Sequence, residues 1–212
     1  HTAMLLGAAR YLAETRNFDG TAVFIFQPAE EGGAGGKAMI DDGLMDRFGI
    51  QEVYGMHNLP GLAVGEFRTR IGPITATTDE FIIEIKGRGG HAAMPHRTID
   101  PITIGSELVL ALQHIVSRSI DPIESAVVSL TKFHAGDAHN VITDTAYLAG
   151  TVRALSPEVR DLVERRMIDL AGGLGAAHGA TITLDYKRSY PLTRNHPDET
   201  AVAAAAAAEI VG

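Results

Sequence analysis

Residues 2 to 15 place Met4, Leu5, Ala8, Tyr11 and Leu12 at i, i+3, i+4 spacing, which predicts an amphipathic helix. A different pattern follows. Thr21 to Phe26 is a short continuous apolar run, and Gln51 to Met56 is a second one ending at His57. Runs of this kind predict strands covered on both faces, as in parallel α/β sheets. From about Thr77 the period becomes two: Phe81, Ile83 and Ile85 alternate with Glu80, Glu84 and Lys86, predicting a half-buried strand. Asp100 and Pro101 then suit the cap and first turn of a helix whose apolar stripe is Ile104, Leu108, Ala111, Leu112 and Ile115. Two further strands are predicted near Ala126 to Phe133 and Thr145 to Arg153. Ser156 and Pro157 open a second helix with Val159, Leu162, Val163, Met167, Leu170 and Leu174 on one side, and Thr181 to Tyr186 alternates as a last strand. A final helix follows Pro197, with Asp198 and Glu199 in its first turn.

The middle order, β-α-β-β-α-β, is that of a ferredoxin-like unit. It lies between two segments of α/β character, so the pattern predicts a partial α/β domain interrupted by an inserted α+β domain. The expected boundaries fall near Gly72 and Pro73 and near Tyr190 and Pro191, giving segments 1–73, 74–190 and 191–212.

Composition changes this picture only by exclusion. The 212 residues are 45% hydrophobic and 21% charged, ordinary for a globular protein with a sizeable core. A formal net charge of −8 argues against a general nucleic-acid or anionic-membrane binder. No apolar run approaches the roughly 20 residues of a membrane-spanning helix, and a soluble, cytoplasmic protein is expected. Cys is absent, so any metal site must use His, Asp and Glu.

The candidate chemistry starts at QPAEEGGAGGKA, residues 27 to 38, where Glu30 and Glu31 stand together before a glycine-rich loop. The loop fails the phosphate-loop pattern, which needs Gly at 31 and Ser or Thr at 38, where Glu31 and Ala38 stand; GRGGHA fails the dinucleotide pattern likewise. A carboxylate pair after one predicted strand and His57 after the next would meet at the C-terminal edge of a sheet, where open α/β sheets place ligands. Carboxylate and imidazole together suit zinc, manganese, cobalt or nickel. In that reading Glu31 binds metal and Glu30 takes a proton from the attacking water and passes it to the leaving amine. Taken alone, adjacent Glu residues more often belong to a solvated loop, and a His at a strand end more often has a structural role.

Four stretches together, QPAEEGGAGGKAMIDDGLMD, YGMHNLPGLAVGEF, GRGGHAAMPHRTIDPI and HNVITDTAYLAGTVRALSP, resemble the metal-dependent amidohydrolases of the aminoacylase, hippurate hydrolase and auxin-conjugate hydrolase type, relatives of carboxypeptidase G. The resemblance runs over nearly the whole chain, with the motifs in order. It implies a two-metal catalytic domain carrying an inserted lid and dimerisation domain, a homodimer, and an N-acyl-amino acid as substrate. It implies further that Glu30 is the general base, and Glu31 and His57 are metal ligands. His91 in GGHAAMPH would be a lid residue that contacts substrate and steadies the oxyanion from the partner subunit. Asn140 in HNVI and Arg153 in GTVR match substrate-recognition positions, where an Arg fork can hold a carboxylate.

The departures matter too. HTAMLLGAARYL resembles the segment just after the family's CGHD metal motif, so further ligands are expected before His1 and one more beyond Gly212; the chain is expected to be an internal portion of a longer enzyme. Thr143 replaces the Pro of the family's NVIP, which is expected to alter a turn slightly. Two other readings stand beside this one: a non-catalytic dimerisation or binding module with a vestigial remnant, and a dipeptidase or deacetylase of the same family.

Overall fold

The computed structural model describes all 212 residues. Along the chain come helices α1 (Thr2–Thr15), α2 (Gly35–Asp41) and α3 (Leu44–Phe48). Strands β1 (Gly72–Thr75), β2 (Asp79–Lys86) and β3 (Gly90–His91) lead to α4 (Pro101–His114), which continues into a π-helical turn, Ile115–Ser119. Then follow β4 (Ala126–Ala135), β5 (Val141–Ile142), β6 (Thr145–Ala154), α5 (Pro157–His178), β7 (Thr181–Arg188), β8 (Thr193–Asn195) and α6 (Pro197–Val211). The chain divides into two compact units, residues 1–70 with 196–212, and residues 71–195. No helix is long and apolar enough to cross a membrane.

In the unit 71–195, β2, β4, β6 and β7 form a four-stranded antiparallel sheet in the order β4-β6-β2-β7. The period-two pattern explains the sheet: Phe81, Ile83 and Ile85 turn one face of β2 inward, and Leu148 and Val152 do the same on β6. Onto that face pack Ile104, Leu108 and Leu112 of α4 and Val159, Val163 and Met167 of α5, one continuous buried cluster. Both helices start where side chains satisfy the first free N–H groups. The Asp100 carboxylate accepts from the Ile102 N–H at 2.9 Å, and the Ser156 hydroxyl accepts from the Val159 N–H at 3.2 Å. Gly179, at φ 68°, ends α5 in the left-handed conformation. Two short ladders, β1 with β8 and β3 with β5, complete the unit; periodicity cannot show strands of two to four residues.

The unit 1–70 with 196–212 departs from expectation. Residues 21–26 and 51–56 form no strand; Val23, Phe24 and Ile25 are half-buried, and Val53, Tyr54 and Met56 are exposed. The physical reason is pairing. A parallel strand exists through ladder bonds to neighbours, and no segment of this unit offers these two runs a ladder. Their apolar character is that of strands, but apolar character alone does not make one.

Candidate active-site residues

Glu30 and Glu31 lie in a turn, exposed, with the Gly32 N–H donating to the Glu30 carbonyl at 3.0 Å and the Gly33 N–H to the Ala29 carbonyl at 3.0 Å. Ala29 and Ala34 flank the pair at φ 48° and 52°, a conformation that costs energy for any residue with a Cβ. The glycines have a packing purpose here. Gly35 is buried with its backbone so close to the Pro28 carbonyl that an added Cβ would overlap the oxygen. The loop therefore doubles back on itself and presents both carboxylates from its apex.

His57 is exposed, and its Nδ1 lies 2.7 Å from the Asn58 carbonyl. A carbonyl only accepts, so that contact requires the proton on Nδ1, and Nε2 is the nitrogen that a neutral ring offers as acceptor or ligand. The Asn58 N–H in turn donates to His1 Nε2 at 3.1 Å, and the two imidazole rings lie 4.5 Å apart at 55°. Asn58 thus orients both rings through its backbone, and His1 Nε2 is occupied as an acceptor.

The carboxylate of Glu31 and Nε2 of His57 are donors of the type that zinc, manganese, cobalt or nickel accept. A protein zinc site takes three or four such side chains, and nowhere do three His, Cys, Asp or Glu groups come together to hold an ion. Glu31 and His57 therefore belong to no group of three such side chains placed to hold an ion.

In the other unit the structure brings His91 and Asn140 together. His91 pairs across the β3–β5 ladder with Val141, the Ala92 N–H donates to the Asn140 carbonyl at 3.0 Å, and the Ala93 N–H donates to His91 Nδ1 at 3.1 Å. Beside them lies an open cavity of about 270 Å³, bounded by Gly89, Gly90, Asp137, Val141 and Asp144 among others. Thr143 keeps the turn without the ring of a proline: its hydroxyl donates to the Thr145 carbonyl at 3.1 Å and accepts from the Thr145 N–H at 3.3 Å.

Arg153 stands apart from that pair. At ~3.3 Å per residue, β6 from Thr145 to Arg153 spans roughly 26 Å, so Arg153 sits at the opposite end of the strand from Asn140. Its Nη1 donates to the Val152 carbonyl at 2.9 Å and to the Asp79 carbonyl at 3.5 Å, while Nε and Nη2 make no hydrogen bond. A guanidinium held on one nitrogen with its other edge open is arranged for two parallel bonds to a carboxylate.

Next to Arg153 lies a cluster that sequence reasoning missed. The Asp79 side chain is 0% exposed and accepts from Arg160 Nε at 2.9 Å, from Arg160 Nη2, from the Tyr186 hydroxyl at 2.9 Å and from the Ser189 N–H at 3.2 Å. Burial pushes the Asp79 carboxyl up, but the bonds from Arg160 and Tyr186, the Arg160 charge and the Ser189 N–H outweigh it and hold the group below its ordinary value. Burial and the Asp79 hydrogen bond push the Tyr186 hydroxyl well above its usual range. The signal was present: Asp79 is in phase with Phe81, Ile83 and Ile85, and a carboxylate on the core face of a strand needs a buried partner.

Known proteins resemble the chain as a whole. Hippurate hydrolase of Campylobacter jejuni is 42% identical over 212 residues, all of this chain and 55% of that protein. A solved structure from methicillin-resistant Staphylococcus aureus superposes with a TM-score of 0.91 at 36% identity, over 99% of this chain and 56% of the other. The Bacillus subtilis YXEP protein, described as a dinuclear metal binding peptidase, gives 0.79 at 36% identity, over 99% and 53%. The chain spans about half the length of the relatives it matches, and its fold is that of a partial α/β domain of their kind. With the model of peptidase family M20/M25/M40 matching residues 1–212, the whole of it, the chain belongs to that family.

Proposed function

We propose that this chain is part of an amidohydrolase that cleaves the amide bond of N-acyl-amino acids, with Glu30 as general base. The observation that carries the reading is the family match across all 212 residues together with a Glu30–Glu31 pair held at the apex of a tight turn. Glu30 takes a proton from the attacking water and delivers it to the departing amine nitrogen. Arg153, with its Nε and Nη2 edge open, holds the carboxylate of the amino-acid half. Glu31 and His57 would supply two of the ligands to a pair of divalent ions, zinc, manganese, cobalt or nickel. The related YXEP protein is described as dinuclear.

The unit 71–195 is proposed to be a ferredoxin-like lid and dimerisation domain inserted between the parts of the catalytic domain. Its sheet order and its two helices on one face support that reading. Arg153 lies roughly 26 Å along β6 from Thr145, the end of the strand that follows Asn140 in the chain, so the two residues occupy opposite ends of this unit's strand. In a homodimer His91 and Asn140, neighbours on the β3–β5 ladder, are proposed to contact substrate from the partner subunit.

The test uses the full-length protein. Glu30→Gln should keep metal and lose turnover of an N-acyl-amino acid by roughly 10²- to 10⁴-fold, whereas Glu31→Ala should lose metal first. Undiminished turnover in Glu30→Gln overturns the assignment, and a full-length protein that dimerises without hydrolysing any N-acyl-amino acid favours the binding-module reading.

A further inference from the structure

Resting on the assignment of Arg153 to the substrate carboxylate, we infer that Asp79 is a positioning residue for Arg153, setting how the enzyme recognises a charged amino-acid end. Both carbonyls that hold Arg153 Nη1, those of Val152 and Asp79, belong to one ladder pair: Asp79 and Val152 face each other at the start of β2. Nothing else holds the guanidinium. Its aim therefore depends on where the backbone of residue 79 lies.

That backbone is fixed by the Asp79 side chain, which ties it to α5 through Arg160, to β7 through Tyr186 and to the segment after β7 through Ser189. Thr77 adds a second tie, its N–H donating to the Ala154 carbonyl at 2.8 Å and its hydroxyl accepting from the Ala154 N–H at 3.0 Å. Arg153 lies between the two ladder positions so clamped. Buried carboxylate and open guanidinium are thus two faces of one strand crossing, the first locating the second. A bidentate Arg–carboxylate contact is sensitive to small displacements of the fork, so a loosened clamp weakens substrate holding before it affects proton transfer at Glu30.

The experiment compares the full-length enzyme with Arg153→Ala, Asp79→Asn, Tyr186→Phe and Val163→Ala, the last a core change on α5 that lowers stability without touching the clamp. KM and kcat are measured on an N-acyl-amino acid and on its neutral methyl ester. Arg153→Ala should raise KM for the acid roughly 10- to 100-fold, and Asp79→Asn roughly tenfold with kcat little changed, both sparing the ester. Tyr186→Phe, the mildest cut, should move KM in the same direction by less, and serves if Asp79→Asn does not fold. Val163→Ala should lower the melting temperature and leave KM alone. If Asp79→Asn and Tyr186→Phe behave like Val163→Ala while Arg153→Ala raises KM for the acid, the positioning role is wrong and the role of Arg153 stands. If Arg153→Ala leaves discrimination between acid and ester intact, Arg153 is not the carboxylate holder and the positioning role falls with it.

Discussion

Replacing Arg160 by Met removes the charged partner of a carboxylate that has no exposure to water, while keeping most of the aliphatic stem that packs beside it. Arg160 itself is 12% exposed, so in the native protein neither member of the pair is well solvated. Breaking a buried pair by deleting one member costs about 3–5 kcal/mol, because the remaining charge is left uncompensated. Tyr186 and Ser189 still donate to Asp79 in the variant, so the low end, about 3 kcal/mol at pH 7, is expected. The cost must also depend on pH. Asp79 has a folded-state value below its ordinary one, so its ionised form is favoured by folding. Its contribution is then complete above the unfolded value of about 3.9 and is lost as pH falls through the folded value. Without Arg160 that advantage shrinks or reverses, and wild type and variant converge in acid. Urea unfolding followed by far-UV circular dichroism reads this directly. With a slope of about 2 kcal/mol per molar, the midpoint should drop by roughly 1.5 M at pH 7 and by clearly less at about pH 3. A difference that is the same at both pH values, or under about 1 kcal/mol at pH 7, would refute the claim that charge pairing rather than stem packing secures this crossing.

Two further changes test the local geometry. Gly35→Ala places a Cβ against the Pro28 carbonyl and should force open the loop that carries Glu30 and Glu31. The expected result is faster amide hydrogen exchange over residues 28–36 and a large loss of turnover in the full-length protein, with the unit 71–195 unaffected. Ser156→Ala removes the cap of α5 and should cost about 1 kcal/mol; in a thermal melt of a domain this size that is roughly 4 °C, and Ser156→Asp should restore most of it.

What could be read from the chain and what could not divides along the range of the interactions involved. Asp100 and Ser156 were legible as helix caps because a cap is a bond between a side chain and an N–H two or three residues on. Strand β2 was legible because half-burial imprints alternation on the strand itself, whatever its partners. Residues 21–26 and 51–56 carry an equally clear apolar signature, yet a parallel strand is defined by hydrogen bonds to other segments, and no composition of six residues can supply them. The candidate site splits in the same way. Motif resemblance could name His91 and Asn140, but only the two-residue β3–β5 ladder shows that they are neighbours, and only the length of β6 shows that Arg153 is not. Asp79 is the instructive case, since its phase on β2 announced a buried carboxylate. Finding its partners meant knowing that α5 and β7 converge on the first residue of β2, a fact of sheet order rather than of sequence. A polar residue in phase with a core face is therefore a question the sequence can pose, and the tertiary arrangement answers it with a charge, two hydrogen-bond donors and a guanidinium held on the far side of the strand.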